Sequence, residues 1–150
     1  MASNQVTANV GMYYAAYRLS RMGWNVMPTA RNARGIDLLA YDATAGRYLG
    51  IQIRTLSKHA AVPLGTKGVD HLLGDWWIIV NDAATDVPEC FIMKPDEVGK
   101  RAVRDQNEGR AYWLPAKQYQ TDEFRRRWDR VGPGDAALVS AQEGVEMSPE

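Results

Sequence analysis

The chain has 150 residues, of which 45% are hydrophobic and 24% charged, enough to bury the core of one domain of ordinary size. One cysteine, Cys90, and no apolar run near the ~20 residues of a bilayer-spanning helix argue against a disulfide scaffold and a membrane protein. Since the sequence also shows no charged-then-apolar leader, we expect a cytoplasmic protein.

The net charge of zero conceals an uneven distribution along the chain. Residues 1–70 contain eight Arg and Lys against three Asp, a net charge of +5, whereas the remaining residues carry a net charge of −5. A basic segment suits a polyanion-binding face, since cations near phosphates displace condensed counterions. An ordinary solvated surface is the alternative interpretation of the same charges.

Hydrophobic spacing predicts the elements of the first half of the chain. Residues 1–9 lack periodicity and are expected to be flexible, whereas apolar positions over 10–22 approximate helical spacing and Gly23 suits the end of that helix. A short strand is predicted at 24–27. Two apolar-rich runs, 35–41 and 48–55, flank a loop that contains glycine, which predicts an antiparallel hairpin.

The second half predicts the rest of a mixed sheet. Residues 76–80 are apolar on both faces, which is typical of a covered central strand. The other predicted elements are a strand at 89–93, a helix over 95–105, a short apolar piece at 111–115, an amphipathic closing helix over 122–131 and a disordered tail over 132–150. The expected fold is α/β, with a mixed sheet flanked by helices in one domain over residues 10–131.

The two hairpin strands contain the residues that could bind a metal ion or take part in catalysis. Gln52 and Arg54 are two apart on one strand, so both side chains point to the same face, and Asp37 begins the partner strand. If Asp37 lies opposite them, one face gathers a carboxylate, an amide oxygen and a cation. Oxygen donors of this kind suit a hard cation such as Mg²⁺.

The segments Gly35-Ile36-Asp37 and Ile51-Gln52-Ile53-Arg54-Thr55 are similar to the Asp…(Glu/Gln)-x-Lys signature of the PD-(D/E)XK nucleases. The resemblance implies a restriction-endonuclease-like core that acts on DNA with Mg²⁺ or Mn²⁺, and often as a homodimer. Residue by residue, it implies that Asp37, Gln52 and the Ile53 carbonyl bind the metal and that Arg54 stands at the lysine position. Asp37, Gln52 and Arg54 are then the candidate catalytic residues.

Two departures from this signature weaken the expected catalysis. Arg54 replaces lysine, and a guanidinium stays protonated, so it can hold a phosphate but cannot remove a proton. The first helix lacks the acid that the family often has, since no Asp or Glu precedes Asp37. Lys58 is the candidate for a displaced lysine. The candidate nucleic-acid-binding residues are Arg31, Arg34, Arg54, Lys58 and Lys67.

Simpler interpretations remain open for several of these residues. Asp37 could be a strand-edge acid paired with Arg34 or Arg54, and Gln52 could satisfy a cross-strand or backbone partner. Neither His59 nor His71 has zinc-ligand spacing, and three tyrosines of the first helix are expected to pack or lie on its surface: Tyr13, Tyr14 and Tyr17. Three functions follow: a metal-dependent nuclease, a catalytically inactive nucleic-acid-binding relative, and a protein-interaction module.

Overall fold

The first helix, α1, spans Asn4–Arg21 in the computed structural model, which describes residues 3–30, 35–70, 72–106 and 109–135. The Ser3 hydroxyl accepts a hydrogen bond from the Val6 amide at 3.2 Å and so caps the helix. The prediction of a flexible segment over residues 1–9 was therefore wrong for residues 4–9. The spacing of apolar side chains could not reveal this start, because the first turn is exposed and polar.

A five-stranded mixed sheet forms the centre of the fold, as predicted. Its strand order is β1-β2-β3-β5-β6, with β3 and β5 parallel and the other neighbours antiparallel. The strands are β1 Asn25–Pro28, β2 Leu38–Tyr41, β3 Tyr48–Thr55, β5 Trp76–Asn81 and β6 Glu89–Met93.

The two faces of the sheet are covered by different layers. On one face, α1 packs through Ala15 and Leu19 against the isoleucines and valine of β3 and β5. On the other face, Trp77 and Ile79 pack into a second hydrophobic cluster with Val98 and residues that follow it in the chain. Every residue of β5 is buried, which confirms the prediction of a covered central strand.

The second layer contains a small antiparallel sheet of order β4-β8-β7 and two short helices. The helix predicted over 95–105 ends at Arg101, and β4 and α3 were not predicted. The elements of this layer are β4 Val62–Gly65, α2 Pro95–Arg101, β7 Val103–Arg104, β8 Tyr112–Leu114 and α3 Ala116–Tyr119.

The closing helix predicted over residues 122–131 was wrong, since only Trp128–Arg130 form a 3₁₀ helix there. The backbone of this segment bonds to the outer strand β6 instead. The Arg126 amide donates to the Cys90 carbonyl at 2.8 Å, and the Phe124 carbonyl accepts from the Ile92 amide at 2.9 Å. These hydrogen bonds satisfy a sheet edge that a helix would have left open.

The segment after the 3₁₀ helix packs against the start of the sheet. The Gly134 amide donates to the Met22 carbonyl at 2.9 Å, and the Trp24 indole donates to the Gly132 carbonyl at 2.9 Å. The prediction of disorder from residue 132 was therefore wrong for residues 132–135. The rest of the predicted tail, 136–150, lies outside the described residues. Among the described residues, no helix is long and apolar enough to span a membrane.

Gly11 sets how closely α1 approaches β3, because a Cβ at this position would overlap the Thr55 hydroxyl and lie 2.8 Å from the Thr55 Cβ. We expect Gly11→Ala to lower the free energy of unfolding by about 1–3 kcal/mol through overpacking. Urea unfolding measures this, with Gly46→Ala as control because its Cβ would meet nothing closer than 3.5 Å. In the Gly11→Ala/Thr55→Ala double variant, the second substitution should restore part of the lost stability. If the effects of the two substitutions simply add, the contact between these residues is contradicted.

Candidate functional site

The carboxylate of Asp37 takes the place of a main-chain partner for β3. Asp37 lies one residue before β2, where its amide donates to the Ile51 carbonyl at 2.8 Å and its carbonyl accepts from the Thr29 amide at 2.9 Å. Its Oδ2 accepts from the Ile53 amide at 2.7 Å. This contact orients the carboxylate at the end of the hairpin and occupies one of its two oxygens.

Arg54 is held at the same end of β3 by an aromatic ring and by its own backbone. Its guanidinium carbon lies 4.9 Å from the centroid of the Trp77 ring, and its Nη1 donates to the Ile53 carbonyl at 3.3 Å. The side chain is half-buried. The contact with the indole ring and the hydrogen bond to the Ile53 carbonyl restrict the freedom of the guanidinium.

A cleft of about 570 Å³ opens between α1 and the ends of β2 and β3. Three of the predicted site residues, Asp37, Ile53 and Arg54, are among the residues that line it. The other lining residues are Gln5, Ala8, Asn9, Met12, Thr29 and Thr55.

The contribution of α1 to the cleft was missed from the sequence, because residues 4–9 were expected to be flexible. Gln5 and Asn9 are one helical turn apart, and the Gln5 amide nitrogen donates to the Asn9 Oδ1 at 3.3 Å. Recognition of Ser3 as an N-cap could have revealed the helix and the shared face. This part of α1 therefore offers neutral amide side chains to the cleft.

Gln52 is not among the residues that line the cleft. Its side chain is 2% exposed, and its Oε1 lies so near Gly35 that a Cβ there would be 3.3 Å away. Among the described residues, its amide nitrogen has no hydrogen-bond partner. A buried, unpaired amide costs stability, so this glutamine carries a cost that an apolar residue would avoid.

Burial and neighbouring charge shift the pKa values of the two ionisable groups of the cleft, Asp37 and Arg54. Burial raises the pKa of Asp37, although the Ile53 amide and the Arg54 guanidinium act in the opposite direction. Burial lowers the pKa of Arg54, and Asp37 opposes that change. Both charged forms are thus disfavoured by desolvation and favoured by each other.

The residues of the cleft do not fit a magnesium or manganese ion well. Asp37 is the one carboxylate among the described residues that line it, and its Oδ2 is already bonded to the Ile53 amide. The Ile53 carbonyl accepts from Arg54, whose positive charge opposes a dication. Mg²⁺ requires near-octahedral oxygen ligation, usually with one or two carboxylates, and Gln52 does not reach the cleft.

Of the other residues predicted to bind nucleic acid, the two that the structure describes do not line the cleft. Lys58 and Lys67 are exposed in the segments on either side of β4, and neither lines the cleft. Arg31 and Arg34 lie outside the described residues, as does His71.

The fold resembles that of a nuclease of known structure. The bacterial homing endonuclease I-Ssp6803I superimposes with a TM-score of 0.56 and 15% sequence identity, and the match covers 99% of this chain and 100% of that chain. No protein-family model matches the sequence, and no curated protein matches it. The similarity supports a nuclease-like fold with a mixed sheet flanked by helices.

Asp37 and a second hairpin residue, Asp42, should contribute to stability with opposite dependence on pH. Because the pKa of Asp37 is raised in the native state, its ionised form costs stability as pH rises above about 4. Asp37→Asn should therefore gain stability relative to the wild type between about pH 3 and pH 7. Urea unfolding at several pH values measures the difference.

Asp42 provides the matched control, because the Arg47 and Gly46 amides lower its pKa. Its ionised form stabilises the native state above about pH 4, and this contribution disappears as pH falls through its lowered pKa. Asp42→Asn should thus lose stability relative to the wild type as pH rises. Parallel pH curves for the two variants would contradict the opposite shifts.

Proposed function

We propose that the chain is a DNA-binding protein of nuclease-like fold, in which the Asp37–Arg54 cleft receives a backbone phosphate and metal-dependent hydrolysis is impaired. The observation that carries the proposal is that Arg54 is one of the residues lining this cleft and that its guanidinium contacts the Trp77 ring. The similarity to a homing endonuclease supports DNA as the ligand class.

Phosphate binding at this cleft follows from the donors in its wall. Arginine presents planar donors that match phosphate oxygens, and stacking on Trp77 reduces the freedom that binding would otherwise remove. Gln5 and Asn9 add amide donors from the opposite wall. The excess of positive charge over residues 1–70 supplies the long-range attraction for a polyanion.

Impaired hydrolysis follows from the same inventory of residues. Arg54 can stabilise charge on a phosphate but stays protonated, so it cannot activate a water molecule. With one free carboxylate oxygen and a neighbouring cation, the cleft attracts a dication weakly. The chain thus keeps the groups that hold a phosphodiester and lacks those that accelerate attack on it.

Protein binding is a second candidate function, and an exposed face of α1 favours it. Tyr13 and Tyr17 are 62% and 54% exposed, and Val6 is 50% exposed, so these helix-surface residues are not part of the core. They line a shallow groove with residues of the β5–β6 turn. Exposed contiguous apolar surface is typical of interaction sites, and the occupant would be a second copy or another protein.

Arg54→Ala should weaken DNA binding by about 1.5–3 kcal/mol, the value of a charged hydrogen bond, or roughly tenfold or more. Arg54→Lys should retain part of the affinity. Fluorescence anisotropy of a labelled duplex at about 50 mM and 200 mM salt measures both the affinity and its salt dependence.

Arg47→Ala is the control for charge, because it removes the same positive charge at the other end of β3, about 23 Å away along the strand. Arg47 contacts the Trp24 ring and does not line the cleft. If Arg47→Ala and Arg54→Ala weaken DNA binding equally, the loss of net charge explains both effects, and a specific role of Arg54 is contradicted. Absence of salt-sensitive binding by the wild type would favour protein binding instead.

Plasmid cleavage tests the impaired hydrolysis. With Mg²⁺ or Mn²⁺, we expect at most slow nicking by the wild type, which EDTA and Asp37→Ala should abolish. Arg54→Lys should not accelerate it, because the variant supplies no further carboxylate for a metal. Rapid metal-dependent cleavage by the wild type would contradict the proposal that hydrolysis is impaired. Its loss in Asp37→Ala would still support the cleft as the site of hydrolysis.

A further inference from the structure

A second group of candidate ligand atoms lies at one end of the β5–β6 pair, where β5 ends and β6 begins. His59 follows β3, Asp82 follows β5 and Glu89 begins β6. The His59 Nε2 is 2.7 Å from the Asp82 Oδ2 and 3.7 Å from the Glu89 Oε2, and the three ligand atoms all lie within 4.8 Å of one another. None of these residues lines the Asp37 cleft.

We propose that His59, Asp82 and Glu89 form a binding site for a divalent cation of the zinc class, separate from the Asp37 cleft. One imidazole nitrogen and two carboxylates form a mixed donor set that suits Zn²⁺ or Co²⁺ better than Mg²⁺, which prefers oxygen alone. Three protein ligands leave a fourth position for water. The site does not depend on the proposed DNA binding.

The spacing of the donors is compatible with such an ion. Tetrahedral ligation with bonds of about 2.0–2.2 Å places ligand atoms roughly 3.4 Å apart. The two distances from the His59 nitrogen, 2.7 Å and 3.7 Å, lie on either side of that separation. The three side chains are only partly exposed, at 41%, 31% and 28%, so small rotations would admit the ion without unfolding the segment.

The surroundings orient Glu89 toward the group. The Arg125 Nε donates to the Glu89 Oε1 at 2.6 Å, which leaves the Oε2 facing His59. Arg125 also contacts Asp122, so its positive charge is shared between two carboxylates. A partner that orients a ligand in this way commonly changes metal affinity, by about 10–100-fold when it is removed.

A buried polar side chain next to the group, that of Asn81, has one hydrogen-bonding atom unsatisfied among the described residues. Asn81 stands directly opposite Glu89 in the β5–β6 pairing, so the two side chains share one face of the sheet. Asn81 is fully buried, and its Oδ1 accepts from Tyr119 and Gln120, while its Nδ2 has no hydrogen-bond partner in the part of the chain that the structure describes. A water carried by a bound cation would provide an acceptor beside this orphaned donor.

Bound metal would join the segment after β3 to the ends of β5 and β6. These positions are distant in sequence, with a separation of 23 positions between His59 and Asp82. A cation that binds the native arrangement and not the unfolded chain stabilises the fold in proportion to its affinity and concentration. Metal binding is therefore expected to stabilise the native fold.

The test titrates the chelator-treated full chain with Co²⁺ and Zn²⁺ alone, using calorimetry and the visible absorption of bound Co²⁺. We expect one ion per chain, and a loss of affinity of at least about tenfold in His59→Ala and in Asp82→Asn. Zn²⁺ should also raise the melting temperature of the wild type and not that of His59→Ala. Glu89→Gln, which keeps an oxygen for Arg125, is the substitute if His59→Ala fails to fold.

Two controls separate this site from its neighbours. Asp86→Asn removes a carboxylate from the same turn but outside the group, and Asp37→Asn removes the one from the cleft, so both should bind Co²⁺ like the wild type. No binding by the wild type, undiminished binding in His59→Ala or Glu89→Gln, or loss of binding in Asp37→Asn would each overturn the proposal. None of these outcomes depends on whether the chain binds DNA.

Discussion

The parallel pairing of β3 and β5 is the constraint on which the rest of the structure depends. A parallel pair is stable when both of its faces are covered, and here α1 covers one face while the second cluster covers the other. Gly11 permits close approach on the first side. Because both layers are needed, the small sheet and the irregular segment along β6 are part of the core rather than additions to it.

The site lies where this regular pairing ends. The β2–β3 pairing ends at Leu38 and Ile51. Beyond it, the amide of Ile53 donates to the carboxylate of Asp37 rather than to a strand carbonyl. The same end of the sheet contains a buried glutamine with an unpaired amide and a half-buried arginine. Stable sheets are usually built from branched and aromatic side chains, so these three residues oppose stability, as residues at functional sites often do.

The sequence predicted the sheet better than the rest of the fold, for a physical reason. Strands such as 48–55 and 89–93 are recognisable because their apolar content is local, whereas the segment around Arg125 has helical spacing but bonds to β6 through contacts that are distant in sequence. Asp37 and Arg54 could be predicted to lie near each other because the motif spacing places them at the same end of two paired strands. Gln5 and Asn9 were missed because their first turn has no apolar face.

The raised pKa of Asp37 bears on what the cleft can hold. With Asp37 ionised, its charge cancels that of Arg54, and the cleft favours neither a dication nor a phosphate strongly. Since burial favours the protonated form of Asp37, desolvation shifts the balance toward a net positive cleft. A phosphate that covers the cleft increases this desolvation and adds a negative charge. If a phosphate binds at Arg54 as proposed, it would favour the protonated form of Asp37, whereas a metal ion would favour the ionised form.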